Sequence, residues 1–298
     1  MIEKKIEPYW IVSGIVFALL WASASTATKI GLSVAQPLVI AVVRFGMAAT
    51  IMLAFAHCIK RQTLPSGKQW GMLALYGLLN ITIYLGSYII AMQHVTAGIG
   101  SLSIASNPVF ISFLSVFFLK KKLSLSICIA MIFGTIGVVI AAWPLFATAV
   151  VTPFGVALLF FSMFSYSASA IFFTSRKWDG LNLITINGWQ TLIGGIFLLP
   201  FALFNFKFSL NNFNLIFWMC AGWLAVPVSI GAVLLWLKLL KANPLRASVW
   251  LFLCPVFGFI LAALIMKEPL TVYTFVGVTF VLTGLFISQK IKPTLTSE

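Results

Sequence analysis

Asn80, Tyr84, Ser87 and Tyr88 follow one another at spacings of four, three and one inside a strongly apolar stretch. On a helix those spacings put an amide and three hydroxyls on one stripe. A polar stripe in hydrocarbon must face protein or water. It either lines a cavity, where its groups hydrogen-bond a ligand, or ties one helix to its neighbours. Ser103, Ser106 and Asn107 pose the same alternative just before Pro108. Proline removes one helical N–H and displaces the carbonyl four residues earlier, here that of Ile104. That carbonyl and the Asn107 amide are then open to a ligand, unless Ser103 satisfies a simple packing kink.

Large aromatic residues away from the ends of apolar stretches form a second set: Trp21, Tyr166, Trp236 and Trp250. Rings at such depth receive an apolar or cationic group by stacking or cation–π contact, or they merely face lipid. Trp10, Trp70 and Trp143 lie nearer stretch ends and read as interfacial anchors. Arg44 is the one charge well inside an apolar stretch. Holding it there costs about 2.5–3.5 kcal/mol on insertion scales. It serves either as a structural clamp on helix-end carbonyls or as an attractor for an anionic group.

The acids are as informative by their positions. Glu3, Glu7, Asp179, Glu268 and Glu298 are all of them, and each falls in a tail or a loop. With no carboxylate in an apolar stretch, and His57 and His94 near stretch ends, a proton relay through buried acids is not encoded. Hydrolytic chemistry lacks its parts too: there is no His-Glu-x-x-His helix, no paired buried carboxylates and no Gly-x-Ser-x-Gly turn. Cys58, Cys128, Cys220 and Cys254 show no metal-ligand spacing and read as small apolar fillers. No catalytic residue, metal or cofactor is expected.

The elements that position these residues follow from composition. The chain is 61% hydrophobic and 8% charged, with a mean hydropathy of +1.10, whereas soluble domains carry roughly 25% charged residues. This is an all-α membrane protein in contact with the lipid bilayer on most of its surface. Breaks at charges and Pro/Gly clusters give ten transmembrane helices near 10–29, 37–59, 69–92, 97–119, 124–143, 153–174, 183–204, 213–239, 244–266 and 270–289. The first carries lysines and a small-residue tract like a signal peptide, but with nine spans behind it it reads as an uncleaved helix. Fifteen Lys and Arg fall on the side of the N-terminus against three on the other. The positive-inside rule then puts both termini in the cytoplasm. The same rule accounts for the net charge of +14. No basic stripe with interleaved aromatics points to nucleic acid.

The chain also repeats itself. Pro108-Val109-Phe110 recurs as Pro255-Val256-Phe257, an offset of 147. The same offset pairs Ser101 with Ser248, Lys120 with Lys267, Leu123 with Leu270 and Gly137 with Gly284, without a gap. Residues 1–146 and 147–298 thus read as two five-helix units. Five is odd, so the second unit enters the membrane inverted. Pro108 and Pro255 read as hinges on which one unit rocks against the other. The twins are not alike: the first offers Ser103, Ser106 and Asn107 where the second offers Trp250, Leu253 and Cys254. A ligand's polar end is expected against the first unit and its apolar end against the second.

Trp21 with Lys29, Pro37 with Arg44-Phe45, Asn107-Pro108-Val109-Phe110, Cys254-Pro255-Val256-Phe257 and Lys267-Glu268-Pro269-Leu270 together resemble the drug/metabolite transporter superfamily, EamA type. The resemblance covers the whole chain, although Lys120-Lys121-Lys122-Leu123 lacks the glutamate usual in that turn. It implies secondary transport of a small metabolite, often amino-acid export, through a central cavity lined by the first, third and fourth helices of each unit. A bacterial inner-membrane location and a monomer or weak homodimer are expected with it. A competing class is an accessory or flippase-type subunit for a lipid-linked or choline-like compound, which requires a lateral groove.

Overall fold

The computed structural model describes residues 8–120, 125–148, 152–267 and 270–289. Glu3, Glu7, Glu268 and Glu298 lie outside the described residues, as do Lys121, Lys122, Leu123 and Pro269. Among those described there are ten helical rods and no strand: α1 Pro8–Gly31, α2 Pro37–Ile59, α3 Lys68–Ala91, α4 Ala97–Leu119, α5 Leu125–Thr148, α6 Pro153–Ser175, α7 Leu183–Phe204, α8 Leu215–Ala242, α9 Pro244–Met266 and α10 Val272–Gln289. Eight are long and apolar enough to cross a membrane, while α5 and α10 carry the shorter apolar runs Cys128–Gly137 and Val272–Gly284. The molecule is a multi-pass membrane protein. The end of the bundle where α1 begins is called proximal and the opposite end distal.

Local chemistry sets the helix starts. Pro37, Pro153 and Pro244 stand at first-turn positions, where a missing N–H costs nothing. Thr96, Thr152, Asn182, Asn214 and Asn243 cap α4, α6, α7, α8 and α9 by accepting a first-turn N–H on the side chain. The starts of α3, α4 and α5 and those of α8, α9 and α10 are each 147 residues apart. The ends of α4 and α9 repeat as well: Lys120 at φ +50° and Lys267 at φ +58° both stop their helix in the left-handed conformation, one that residues other than glycine seldom adopt.

Both units break their third and fourth helices at matching places. α3 widens into a π-helical turn over Leu78–Leu85, and α8 does so over Leu224–Ala232. α4 tightens into a 3₁₀ turn over Ile104–Ser106, directly before Asn107-Pro108, and α9 over Val249–Phe252, one residue before Cys254-Pro255. The helices exchange partners between units. α1 packs on α8 and α9, and α6 packs on α3 and α4. α2 lies against α7, and α5 against α10. The first half of α4 meets the second half of α9, and the first half of α9 meets the second half of α4, so the two run antiparallel. That is the contact pattern of two units related by an inverting two-fold.

Glycine allows the closest of these approaches. A Cβ on Gly194 of α7 would lie 2.5 Å from the Gly77 carbonyl of α3, and Thr82 Oγ1 donates to the Gly194 carbonyl at 2.8 Å. A Cβ on Gly284 of α10 would lie 2.8 Å from the Ala130 carbonyl of α5. Close backbone contact of this kind is how helices associate where lipid removes the hydrophobic drive between them.

Candidate functional site

Six buried aromatic residues, Phe17, Trp21, Tyr84, Tyr88, Tyr166 and Trp236, form one connected column. Tyr84 of α3 lies 6.2 Å from Tyr88 and 4.7 Å from Tyr166 of α6, ring centre to ring centre. Tyr166 in turn lies 5.7 Å from Trp21 of α1 and 5.9 Å from Trp236 of α8. Phe17 closes the proximal end, stacked 5.0 Å from Trp236 and tilted 5.4 Å from Trp21. Such offset and tilted pairs are each worth about 0.5–1.5 kcal/mol beyond burial. Trp21, Tyr84, Tyr88, Tyr166 and Trp236, five of the ring residues singled out from sequence, therefore meet in one place. They come from the first and third helices of both units. The Tyr166 hydroxyl, in a side chain only 1% exposed, makes no hydrogen bond. Tyr88 shares one with Ser25 of α1 at 2.8 Å.

Trp250 shares the buried core with the column but forms no ring pair with it. Its indole packs against Gly14 of α1, in space that a side chain there would fill. Its Nε1–H is buried without a partner. Glycine at position 14 is what lets α9 bring so large a ring against α1.

A buried polar chain runs beside the column. Ser169 Oγ donates to Asn80 Oδ1 at 3.1 Å, and Asn80 Nδ2 donates to Gln190 Oε1 at 3.3 Å. Gln190 Nε2 donates to Asn187 Oδ1 at 2.9 Å, and Asn187 Nδ2 to the Ser229 carbonyl at 2.8 Å. Arg44 Nε donates to Ser229 Oγ at 2.8 Å. The chain links α6, α3, α7, α8 and α2, and Asn80 spends its amide on neighbouring helices. Asn187 and Gln190 were not singled out from sequence. The signal was there: two amides three residues apart in an apolar run, the argument already applied to Asn80.

The broken helix α4 spends Ser103 and Ser106 within its own turns and Asn107 on α6. Asn107 N–H donates to the Ile104 carbonyl, so the group displaced by Pro108 is not open to a ligand as expected. Ser103 Oγ donates to the Gly100 carbonyl and Ser106 Oγ to that of Ser103, at 2.8 and 2.7 Å. Asn107 is fully buried between α4 and α6, donating to Met163 Sδ at 3.2 Å and accepting from Ser167 Oγ at 3.1 Å. Pro108 and Pro255 each follow a 3₁₀ turn and open the second half of their helix.

Ser103 and Ser106 face an apolar cavity of about 380 Å³ between α4, α5 and α6, shared with Phe110, Thr135, Val139 and Leu159. It is separate from the ring column. Lys29, expected at the end of the first span, stands in the last turn of α1, and its Nζ donates to the Met92 and Val95 carbonyls at 2.8 and 2.6 Å. It thus sets a positive charge at the carbonyl end of α3, where the helix dipole favours one. Among the described residues no group of three His, Cys, Asp or Glu is arranged to hold a metal.

This architecture has relatives. A solved structure titled "Crystal structure of protein" superimposes with a TM-score of 0.73 over 94% of this chain and 96% of its own, at 16% identity, a likeness of fold. An uncharacterized transporter of Archaeoglobus fulgidus is 29% identical over 93% of this chain and 97% of its own length. Protein PecM of Dickeya dadantii is 26% identical over 92% of this chain and 90% of its own. The EamA-like transporter family matches twice, over residues 8–143 and 153–289. Those two matches divide the chain where its helices divide into two units, and together they cover most of it; the chain belongs to the EamA-like transporter family, within the drug/metabolite transporter superfamily.

Proposed function

We propose that this membrane transporter is a secondary carrier that moves small amphipathic metabolites, amino acids or related compounds, across a bacterial inner membrane by alternating access. The observation that carries the reading is the ring column, because both units build it. Tyr84 and Trp21 belong to the first unit and Tyr166 and Trp236 to the second. A ligand held between these rings is held by both units, so rocking one against the other alters access to it. The paired breaks before Pro108 and Pro255 supply matching points of bending. Residues 1–146 and 147–298 are the two rocking bodies, both termini are cytoplasmic, and net movement is outward. The carrier works as a monomer or weak homodimer in the lipid bilayer, with the small molecule as its partner.

The test is counterflow in proteoliposomes with a panel of amphipathic amino acids. Wild type is expected to exchange at least one of them. Trp21→Ala and Tyr166→Ala are expected to lower its flux by about tenfold or more, the equivalent of roughly 1.4 kcal/mol, at unchanged protein content. Full flux in both variants would remove the column from the transport path.

The cavity between α4, α5 and α6 favours a second reading, in which a lipid-linked or choline-like compound enters sideways. Bulky residues at Ser106 and Val139 would then abolish activity while substitutions in the ring column would not.

A further inference from the structure

Arg44 is a charge inside a helix of the bundle that spends one hydrogen bond on its neighbours. It is 6% exposed, deep in α2, and a guanidinium offers five N–H donors in a rigid fork. One of them, Nε–H, is taken by Ser229 Oγ at 2.8 Å. The Asn187 amide donates to the Ser229 backbone carbonyl and so fixes the acceptor. The two terminal nitrogens make no hydrogen bond to a described residue, and neither is sealed from the small surface the residue keeps. Lys29 shows what a structural cation looks like in this bundle, its ammonium donating to two helix-end carbonyls.

Among the described residues no carboxylate pairs with Arg44. None of the five acids falls in an apolar stretch of the sequence. The one described acid, Asp179, is exposed in the turn between α6 and α7. Ser229 and the Phe45 ring, 5.3 Å from the guanidinium carbon, are neutral partners; a buried ion without a counter-ion costs several kcal/mol, which a matching ion returns only if it arrives with good geometry. Two parallel N–H groups of one guanidinium match the two oxygens of a carboxylate. The surroundings complete the case. Helix α2, which carries Arg44, packs on the Gly86–Ala91 segment of α3, where Tyr88 forms the distal end of the ring column. The fork thus stands on a helix packed against the distal end of the rings.

We infer that the two terminal nitrogens of Arg44 bind the carboxylate of the transported compound, whose apolar body lies along the rings from Tyr84 to Trp21. This rests on the ring column being the substrate path, as proposed above, and it narrows the substrate class to amphipathic compounds carrying a carboxylate. Ser229 acts as a positioning residue, aiming the fork through Nε without touching the ligand.

Three probes share one apolar body and differ only at the end: 3-phenylpropionate, 3-phenylpropionamide and 3-phenylpropylamine. Their affinities for the purified full-length protein, read by thermal shift, are expected to fall in that order, with the carboxylate about ten- to a hundredfold tighter than the amide, the range of a charge-assisted pair. Arg44→Gln and Arg44→Lys are expected to bring the carboxylate and the amide within about threefold of each other. A variant that does not fold leaves the wild-type order as the test. Equal wild-type affinities, or a tighter amine, overturn the anchor while leaving the ring column standing. Carboxylate preference retained in a folded Arg44→Gln overturns it as well. Binding by wild type that Trp21→Ala and Tyr166→Ala leave untouched overturns the column first and the anchor with it, as does a wild type that answers none of the probes.

Discussion

Ser101 Oγ donates to the Cys254 carbonyl at 2.9 Å, joining the two broken helices α4 and α9 where they cross. Gly258, one turn beyond Cys254, has no room for a Cβ because the Ser101 side chain occupies it. The inverted units are thus fastened at their breaks by one hydroxyl and one missing side chain.

Gly258→Ala is expected to force that crossing apart. Overpacking at a close contact costs about 1–3 kcal/mol, read as a lower midpoint of thermal unfolding in detergent. Gly222→Ala, where nothing lies within 4 Å of the added carbon, is expected to leave the midpoint unchanged. Equal behaviour of the two variants would remove the fastening argument.

Tyr166→Phe separates folding from function. The hydroxyl is buried and unpartnered, so its removal is expected to leave stability unchanged or raise it by about 1 kcal/mol. A ligand in the column would supply the missing partner, so flux is expected to fall severalfold. Unchanged flux together with a stabilised protein would make the hydroxyl a cost with no return.

The polar chain predicts coupling at a distance. Asn80 and Asn187 do not bond each other, yet both bond Gln190. Each single change to alanine is expected to cost about 0.6–1.7 kcal/mol, the range of such contacts in membranes. The double variant is expected to cost less than their sum, since either change alone already loosens Gln190. Strict additivity in a double-mutant cycle would mean that the chain does not act as one network.

Proton coupling is expected to be absent. The apolar stretches carry no acid to take up and release a proton between pH 5 and 8. His57 sits at the end of α2, its Nε2 accepting from Trp189 Nε1 at 3.0 Å. Flux in proteoliposomes is therefore expected to persist when the pH gradient is collapsed. Flux that vanishes with the gradient would demand a titrating group in the path.

What the sequence makes legible and what it hides follow one physical line. Pro108 with Pro255, the offset of 147 and the helix starts depend on neighbours in the chain, and local chemistry announces them. The pairing of Arg44 with Ser229, 185 residues away, depends on α2 meeting α8, which no local pattern states. The same holds for Asn107. Its depth was readable, but the use of its amide on Met163 and Ser167 follows from where α6 lies. The Ile104 carbonyl shows a local rule failing by one step, because the 3₁₀ turn hands that acceptor to the Asn107 N–H.

The exchange of first helices between units also sets a timetable for synthesis. α1 must pack on α8 and α9, yet Trp21 leaves the ribosome 215 residues before Trp236. At about 5–20 residues per second, that is roughly 10–40 s during which the ring face of α1 has no native partner from the second half. In that interval α1 must be held by lipid, by the insertion machinery or by its own unit. A chain that stalls after α5 would leave the same face bare to quality control.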